Sequence, residues 1–511
     1  MRTRVQERRT RRFAGCLGRP RSAPVLGCLI HVPLQPLMSV IPLALGRTSM
    51  PADIQRLEHI VIVLMENRSF DHVLGYLSRP GGRGDVDGIG DDAWRAAHAN
   101  PGPLAALTPF ALRTDTIPDP PHERDTIALQ IGPVGTPDAM RGFVQSYARR
   151  QPPPDDVSLV MGYYLAQDVP MADFFATQYA ICDRWFAALP TGTQPNRLMA
   201  MSGTTARDGN APVLLDDQDL VYDWLTARGI PWRVYHHGAL PFFALMPKWQ
   251  PVILRELAIE ILGLHTRFRR YQHFERDVHA DPTFPPVVFI EPEYTDGPHH
   301  TPDDDHPPTP IARGQAFLRS IYQALTANPE RWAKTLLLIT YDEHGGFFDH
   351  VPPLALRTEP PPGHAYPPFD TTGVRVPAFL VSPFVEPGAV VHTPLDHTAI
   401  LALLGERFDP GATYSPVVDV RQGSLSRLAN ALTRTEPRTD IPVPPAMPAA
   451  VVPPALRVAL PLLRPTALAS GAAANAQAFD EAAREMVRRY PFAALQVLPE
   501  LAPFRGSPQA P

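Results

Sequence analysis

Two clusters of oxygen donors stand at the ends of apolar runs: Glu66-Asn67 directly after residues 60–65, and Asp342-Glu343 one residue, Tyr341, beyond residues 335–340. Carboxylates crowded together repel one another unless a cation lies between them, and such donors suit a hard divalent ion. A third stretch, Gly192-Thr193-Gln194-Pro195-Asn196-Arg197, puts a hydroxyl where Pro195 suits the first turn of a helix ending at Gly203. A helix N-terminus offers unpaired N–H groups and positive potential, which favour a phosphate or an alkoxide, so Thr193 is a candidate nucleophile. It would equally serve as a plain N-cap. A metal held by Glu66, Asn67, Asp342 and Glu343 would also take Thr193 as a ligand and lower the pKa of its hydroxyl. His122, His236, His237 and His306 are candidates for holding phosphoryl oxygens or protonating a leaving alkoxide. Each of these groups has an ordinary structural reading on its own: an acidic turn, a strand end in solvent, a surface histidine. Their recurrence at strand ends is what argues for one site.

The elements that must position them are legible as short apolar segments. Residues 60–65 are β-branched and apolar without alternation, as in a strand covered on both faces, and 231–235, 286–290, 335–340 and 376–381 are further expected strands. Four of these five run straight into ionisable or metal-ligand types, and ligands of open α/β sheets bind outside the carboxyl ends of the strands. Residues 171–186 carry apolar positions at helical spacing, with Cys182 a packed thiol; residues 219–228 and 311–327 are expected helices. Residues 79–122, rich in Gly, Asp and Pro, are expected as an extended loop that delivers His122.

Composition sets the bounds. At 511 residues, 44% hydrophobic and 19% charged, the chain can bury one large α/β domain with appendages. A net charge of -5 supplies no basic field, so nucleic acid is not an expected partner, and no obligate protein partner is indicated. Three cysteines cannot make a disulfide framework, and the 63 prolines imply long irregular loops. Residues 1–50 are Arg-rich, and Arg11-Arg12-Phe13 has a twin-arginine-like look, but Pro33, Pro36 and Pro42 break the apolar stretch that would follow. A disordered extension or an early-assigned start is the expectation, with cytoplasmic location favoured over export. Residues 51–435 are read as the catalytic domain, and 436–511 as a Pro-rich linker followed by an amphipathic helix over 472–489.

The stretches Glu66-Asn67-Arg68-Ser69-Phe70-Asp71-His72, Gly192 to Arg197, Asp305-His306-Pro307-Pro308, Tyr341 to His350 and Asp396-His397-Thr398 together resemble the bacterial phosphoesterase family. That family includes non-haemolytic phospholipases C and acid phosphatases. The resemblance implies an alkaline-phosphatase-like α/β fold, with a mostly parallel central sheet and helices on both faces. It implies metal ligands at Glu66, Asn67, Asp342 and Glu343, a nucleophile at Thr193, and phosphate-lining histidines at His122, His306 and one of His236 or His237. It further implies in-line attack by Thr193 on a phosphate ester, possible phospholipids included, through a phosphothreonine intermediate. The divalent ion is left open among magnesium, calcium, manganese and zinc. Thr193 cannot become the oxidised aldehyde residue of sulfatases, and the residues after Phe408 are not expected to form the β-rich C-terminal domains usual in the phospholipase C branch. Asp349-His350 and Asp396-His397 are expected to orient ligands or pin loops, with a second metal site the alternative. A catalytically silent phosphate- or lipid-binding relative is the competing reading of the whole chain.

Overall fold

The computed structural model describes residues 54–264, 266–298, 301–447 and 470–505. The N-terminal expectations, and most of the Pro-rich linker, lie outside the described residues. An eight-stranded sheet is built from β1 (His59–Met65), β2 (Ala180–Cys182), β3 (Trp232–His236), β4 (Phe268–Arg270), β5 (Val287–Glu291), β6 (Thr335–Tyr341), β7 (Ala378–Val381) and β8 (Ala389–Val391). The spatial order is β8-β2-β7-β6-β1-β5-β3-β4. The chain is therefore α/β around a mostly parallel sheet, as expected. The two central strands, β1 and β6, are the longest and most apolar, and they pair in parallel from His59↔Thr335 to Met65↔Tyr341. That register brings the residues following each strand, Glu66 and Asp342, side by side.

Both faces of the sheet are covered, which explains why these strands show no alternation. Ile62 and Leu64 share one face with Ala200 and Met201 of α2 (Thr193–Ser202), Tyr222 of α3 (Val221–Ala227) and Ile400 of α5 (Thr398–Phe408). On the other face Phe379, in register with Ile339 and through it with Val63, meets Phe175 of α1 (Pro170–Gln178). Phe175 in turn packs on Tyr322 of α4 (Ile311–Thr326). A further helix, α6 (Ser470–Arg489), buries Ala472, Asn475, Ala476, Phe479 and Met486 along one stripe.

Three expectations are corrected. The segment 376–381 is a strand, but β7 runs antiparallel to β6, so its end points away from the site; Ser382 Oγ donates to Thr335 O at the start of β6. An apolar run carries no direction, and only the length of the preceding connection could have hinted at it. Residues 171–186 are not one helix: α1 stops at Gln178, and Ala180–Cys182 fills a slot between β7 and β8, where pairing overrides helical spacing. Cys182 is buried as expected, and burial pushes its thiol pKa up. Residues 79–122 are not wholly irregular, since they hold a helix, Asp92–Ala97, and short strand pairs.

Below the site a buried ion network ties the loop after β1 to the loop after β6. Arg375 Nε donates to Asp349 Oδ1 at 2.9 Å and Nη2 reaches Asp71 Oδ1 at 3.1 Å. His350 Nδ1 lies 2.7 Å from Asp71 Oδ2, and Nε2 lies 3.0 Å from Asp87 Oδ1. The three oxygen and nitrogen donors of Asp71, Asp349 and His350 converge, but the Arg375 guanidinium already supplies their positive charge, which favours the loop-pinning role. Burial opposes a charged imidazole, yet Asp71 and Asp87 raise His350 from 6.5 to about 9. A folded-state pKa above the unfolded one means stability fully present below pH 6.5 and lost as pH rises toward 9. Chemical denaturation of the wild type should therefore weaken across that window. In His350→Gln the dependence should flatten.

Candidate active site

Glu66, Asn67, Asp342 and Glu343 are all fully buried at the carboxyl edge of β1 and β6. Asn67 adopts φ 61°, which Asn tolerates better than most residues, and its N–H donates to Asp342 Oδ1 at 3.2 Å. The two loops approach so closely that a Cβ on Gly345 (φ 63°) would sit 2.2 Å from Asn67 O. Only glycine meets that backbone conformation and that space. Arg197 of α2 is set between the carboxylates: Nη2 is 2.9 Å from Glu66 Oε1, and Nε is 3.3 Å from Asp342 Oδ2. Its Nη1 donates to Tyr294 OH at 2.9 Å. Burial, then the charges of Asp296, Asp342 and Asp304, raise Glu66 well above the usual carboxylate range, with Arg197 opposing. Burial likewise takes Asp342 to about 6, with Glu343 adding to it and Arg197 opposing.

Gly192 is the N-cap of α2 and Thr193 its first helical residue, next to the cap. The loop before it is fastened by Asn196, whose Oδ1 accepts from Leu189 N at 2.9 Å while Nδ2 donates to Thr191 O at 2.7 Å. Residues four apart share a helix face, so Thr193 stands one turn above Arg197 and the carboxylates it holds. Its Oγ1 is buried without a hydrogen bond. Glu66 Oε2, Asn67 Oδ1, Glu343 Oε1, Asp296 Oδ1 and His306 Nε2 share that condition. Buried polar atoms are normally paired, so such a set of lone-pair donors calls for a ligand.

The histidines separate into distinct roles. His122 Nδ1 lies 2.7 Å from Pro120 O and Nε2 lies 3.3 Å from Asn67 Nδ2. While the ring is neutral, Nδ1–H donates to the carbonyl and Nε2 accepts from the amide, which turns Asn67 Oδ1 the other way. Burial works against charging His122, but Glu343, Asp119 and Glu123 raise it to about 9. His306 Nδ1 is bonded to Pro307 O. Burial and then His122 hold His306 well below its ordinary value, so Nε2 presents a lone pair. Donor atoms of Glu66, Asp296 and His306 lie within 4.8 Å of one another, as do those of Asp119, His122 and His306. His236 ends β3, two strands from β1; its Nδ1 bonds Gly238 O at 2.8 Å, and burial lowers it to about 4. His237 stands apart from the group: its side chain is 41% exposed and bonded to Asp303 Oδ2 at 2.6 Å.

Asp396 and His397 take different tasks. Asp396 accepts from Thr398 N at 2.8 Å and pairs with Arg421 Nε at 2.5 Å, fixing the start of α5. Trp185 Nε1 donates to His397 Nδ1 at 3.2 Å, which leaves Nε2–H to donate to Asp342 O at 2.6 Å. His397 thus holds the backbone of a candidate ligand.

Residues 57–410 match the model of the Phosphoesterase family. The chain belongs to the Phosphoesterase family. It is a phosphoester hydrolase. Among its relatives is non-specific phospholipase C3 of Arabidopsis thaliana, 32% identical over 412 residues and covering 75% of each chain. Phospholipase C A of Mycobacterium tuberculosis is 29% identical over 441 residues, 78% of this chain and 81% of that one. A solved phosphonate monoester hydrolase of Agrobacterium radiobacter aligns with 48% of this chain and 69% of its own at 13% identity and a TM-score of 0.29.

Sequence reasoning missed several residues of this site in the family's chain. Arg197 closes the Gly192–Arg197 stretch, and its spacing of four from Thr193 is the signal that marks it. Asp296 and Glu123 had no signal, because each follows a strand or loop at a distance set only by folding. Among the described residues no helix is long and apolar enough to cross a membrane. Replacing His397 by Ala should lower kcat by about 10–100-fold while KM stays within about threefold, since residues that orient a ligand act through its placement. Steady-state kinetics on a phosphate ester checks this.

Proposed function

We propose that this chain hydrolyses phosphate esters with a divalent metal ion and a phosphothreonine intermediate formed at Thr193, on phospholipid-type phosphodiesters. The observation that carries it is the set of buried, unpartnered atoms of Glu66, Asn67, Thr193, Glu343, Asp296 and His306, with donor atoms of Glu66, Asp296 and His306 within 4.8 Å of one another. Their oxygen-rich chemistry fits a hard divalent ion, with Asp342 Oδ2 facing the same group. Such an ion would polarise the phosphoryl oxygens and favour the ionised hydroxyl. Glu66, Asn67, Asp342 and Glu343 would hold it.

The chain's own residues do the rest. Thr193 Oγ attacks phosphorus in line with the departing oxygen, and the positive end of α2 favours its alkoxide. Arg197 keeps Glu66 and Asp342 at fixed separation. His122 Nε2 accepts from the Asn67 amide and keeps Asn67 Oδ1 turned toward the ion's place, while the leaving oxygen takes its proton from water. His306 Nε2 presents a lone pair either to the ion or to an attacking water. Water then cleaves the phosphothreonine and restores Thr193. The relatives' names support a phospholipid diester, and a monoester is the alternative substrate. A silent binder would have no use for an unpaired hydroxyl at a helix start.

The test is hydrolysis of p-nitrophenyl phosphorylcholine and p-nitrophenyl phosphate by the full chain and by Thr193→Ala. The diester should be preferred, EDTA should abolish turnover, and magnesium, calcium, manganese or zinc added singly should restore it. Thr193→Ala should lose roughly 10³-fold or more of kcat. Because Thr193 Oγ1 makes no hydrogen bond, its melting temperature should change little. Activity that survives both chelation and Thr193→Ala would refute the mechanism.

A further inference from the structure

The C-terminal helix reaches the site with one side chain. Asn475 lies in the second turn of α6 and is fully buried. Its Oδ1 accepts from Gln194 Nε2 at 3.0 Å, and its Nδ2 donates to Asp296 Oδ2 at 2.5 Å. Gln194 is the residue after Thr193, and its own N–H donates to Asn210 Oδ1 at 2.8 Å. Asp296 is one of the three groups, with Glu66 and His306, whose donor atoms converge within 4.8 Å. One amide therefore joins the helix start that carries the nucleophile to a carboxylate of the donor cluster. Because Nδ2 occupies Oδ2 of Asp296, Oδ1 is left without a hydrogen bond. An amide suits this position because it offers a donor to the carboxylate and an acceptor to Gln194 at once.

The surroundings show that this contact is built and close. Asn210 Nδ2 donates to Gly471 O at 3.2 Å, so the same loop holds both α2 and the first turn of α6. A Cβ on Gly471 would fall 1.5 Å from Glu123 Oε1, and one on Gly192 would fall 2.9 Å from the same oxygen. Farther along, Phe479 packs on Tyr294 at 5.6 Å between ring centroids, and Tyr294 receives Arg197. Three elements of the site, Asp296, Gln194 and Tyr294, thus meet one face of a helix that follows the family-matched region 57–410.

We infer that Asn475 is a positioning residue for the phosphoesterase reaction: bonded to both Asp296 and Gln194, it sets the Asp296 carboxylate toward the metal cluster in register with Thr193. The inference rests on the proposed metal-dependent function. Its consequence is that α6 is part of the working site.

The experiment uses the full chain in three forms: wild type, Asn475→Ala and Met486→Ala. Met486 is buried on the same helix, about 16 Å farther along. Melting temperature, kcat, KM and manganese binding by equilibrium dialysis are measured on each. Asn475→Ala should lose about 10–100-fold in kcat with KM within about threefold, and should bind manganese about tenfold more weakly. Met486→Ala should melt lower, with kcat and manganese affinity retained. Wild-type kcat and manganese affinity in Asn475→Ala would overturn the inference, as would losses no larger than those of Met486→Ala at an equal fall in melting temperature. A wild type that binds manganese but hydrolyses no phosphate ester would refute the proposed function instead, and dialysis would still decide the role of Asn475.

Discussion

Everything at this site depends on keeping several carboxylates close together in a place without water. Glu66, Asp296, Asp304, Asp342 and Glu343 are all buried near the ends of β1, β5 and β6. Burying one unpaired charge costs several kcal/mol, roughly, so a group of them can persist only beside positive charge or as shared protons. Arg197 touches both Glu66 and Asp342 and is itself fully buried. Because it projects from α2, it also determines how that helix is rotated. Turning α2 to withdraw Thr193 would strand the guanidinium and both carboxylates. Charge balance and the placement of Thr193 are one constraint.

The sheet is arranged to serve that constraint. Parallel pairing of β1 with β6 puts Glu66 and Asp342 next to each other without any turn between them. The helices on both faces remove water from beneath the carboxylates, which raises their pKa values and strengthens every contact Arg197 makes. The Asp71–Arg375–Asp349–His350 network does related work one layer down, where positive groups are supplied in full and the carboxylates are all partnered. The contrast between a balanced cluster and one with unpaired oxygens separates scaffold from site.

The parts of the fold that sequence made legible were those carried by local pattern. β1 and β6 announce themselves as long apolar runs ending in carboxylates, and α2 by Pro195 and Gly203, the latter observed at φ 80° as its C-cap. What local pattern cannot carry is direction and long-range docking. β7 looks like its neighbours and runs the other way. Residues 180–182 have helical spacing but enter the sheet because a slot between two strands is worth more than propensity. Asp296 and Asn475 are 179 positions apart and meet only in the folded chain; neither stands in a motif. For the individual site residues, the sequence named the types and the strand ends, while the tertiary structure decides which nitrogen of each histidine faces inward.

The backbone strain at the site has a physical consequence for the ligand. Asn67 at φ 61° and Asp305 at φ 73° are non-glycine residues in the left-handed region, each costing about 1–3 kcal/mol unless the surroundings enforce it. Both are enforced: Asn67 by Asp342 Oδ1 and His122, Asp305 by Tyr341 OH at 2.6 Å and by Arg68, which donates to its carbonyl at 2.8 Å. The energy of those contacts holds oxygens in place that have no partner of their own. A site assembled that way has already met its reorganisation cost during folding, so the proposed ion or phosphoryl group would meet donors that do not have to move. The same argument explains why the Asn67 amide is bonded on its nitrogen side: fixing Nδ2 on His122 leaves Oδ1 as the atom presented to the ligand.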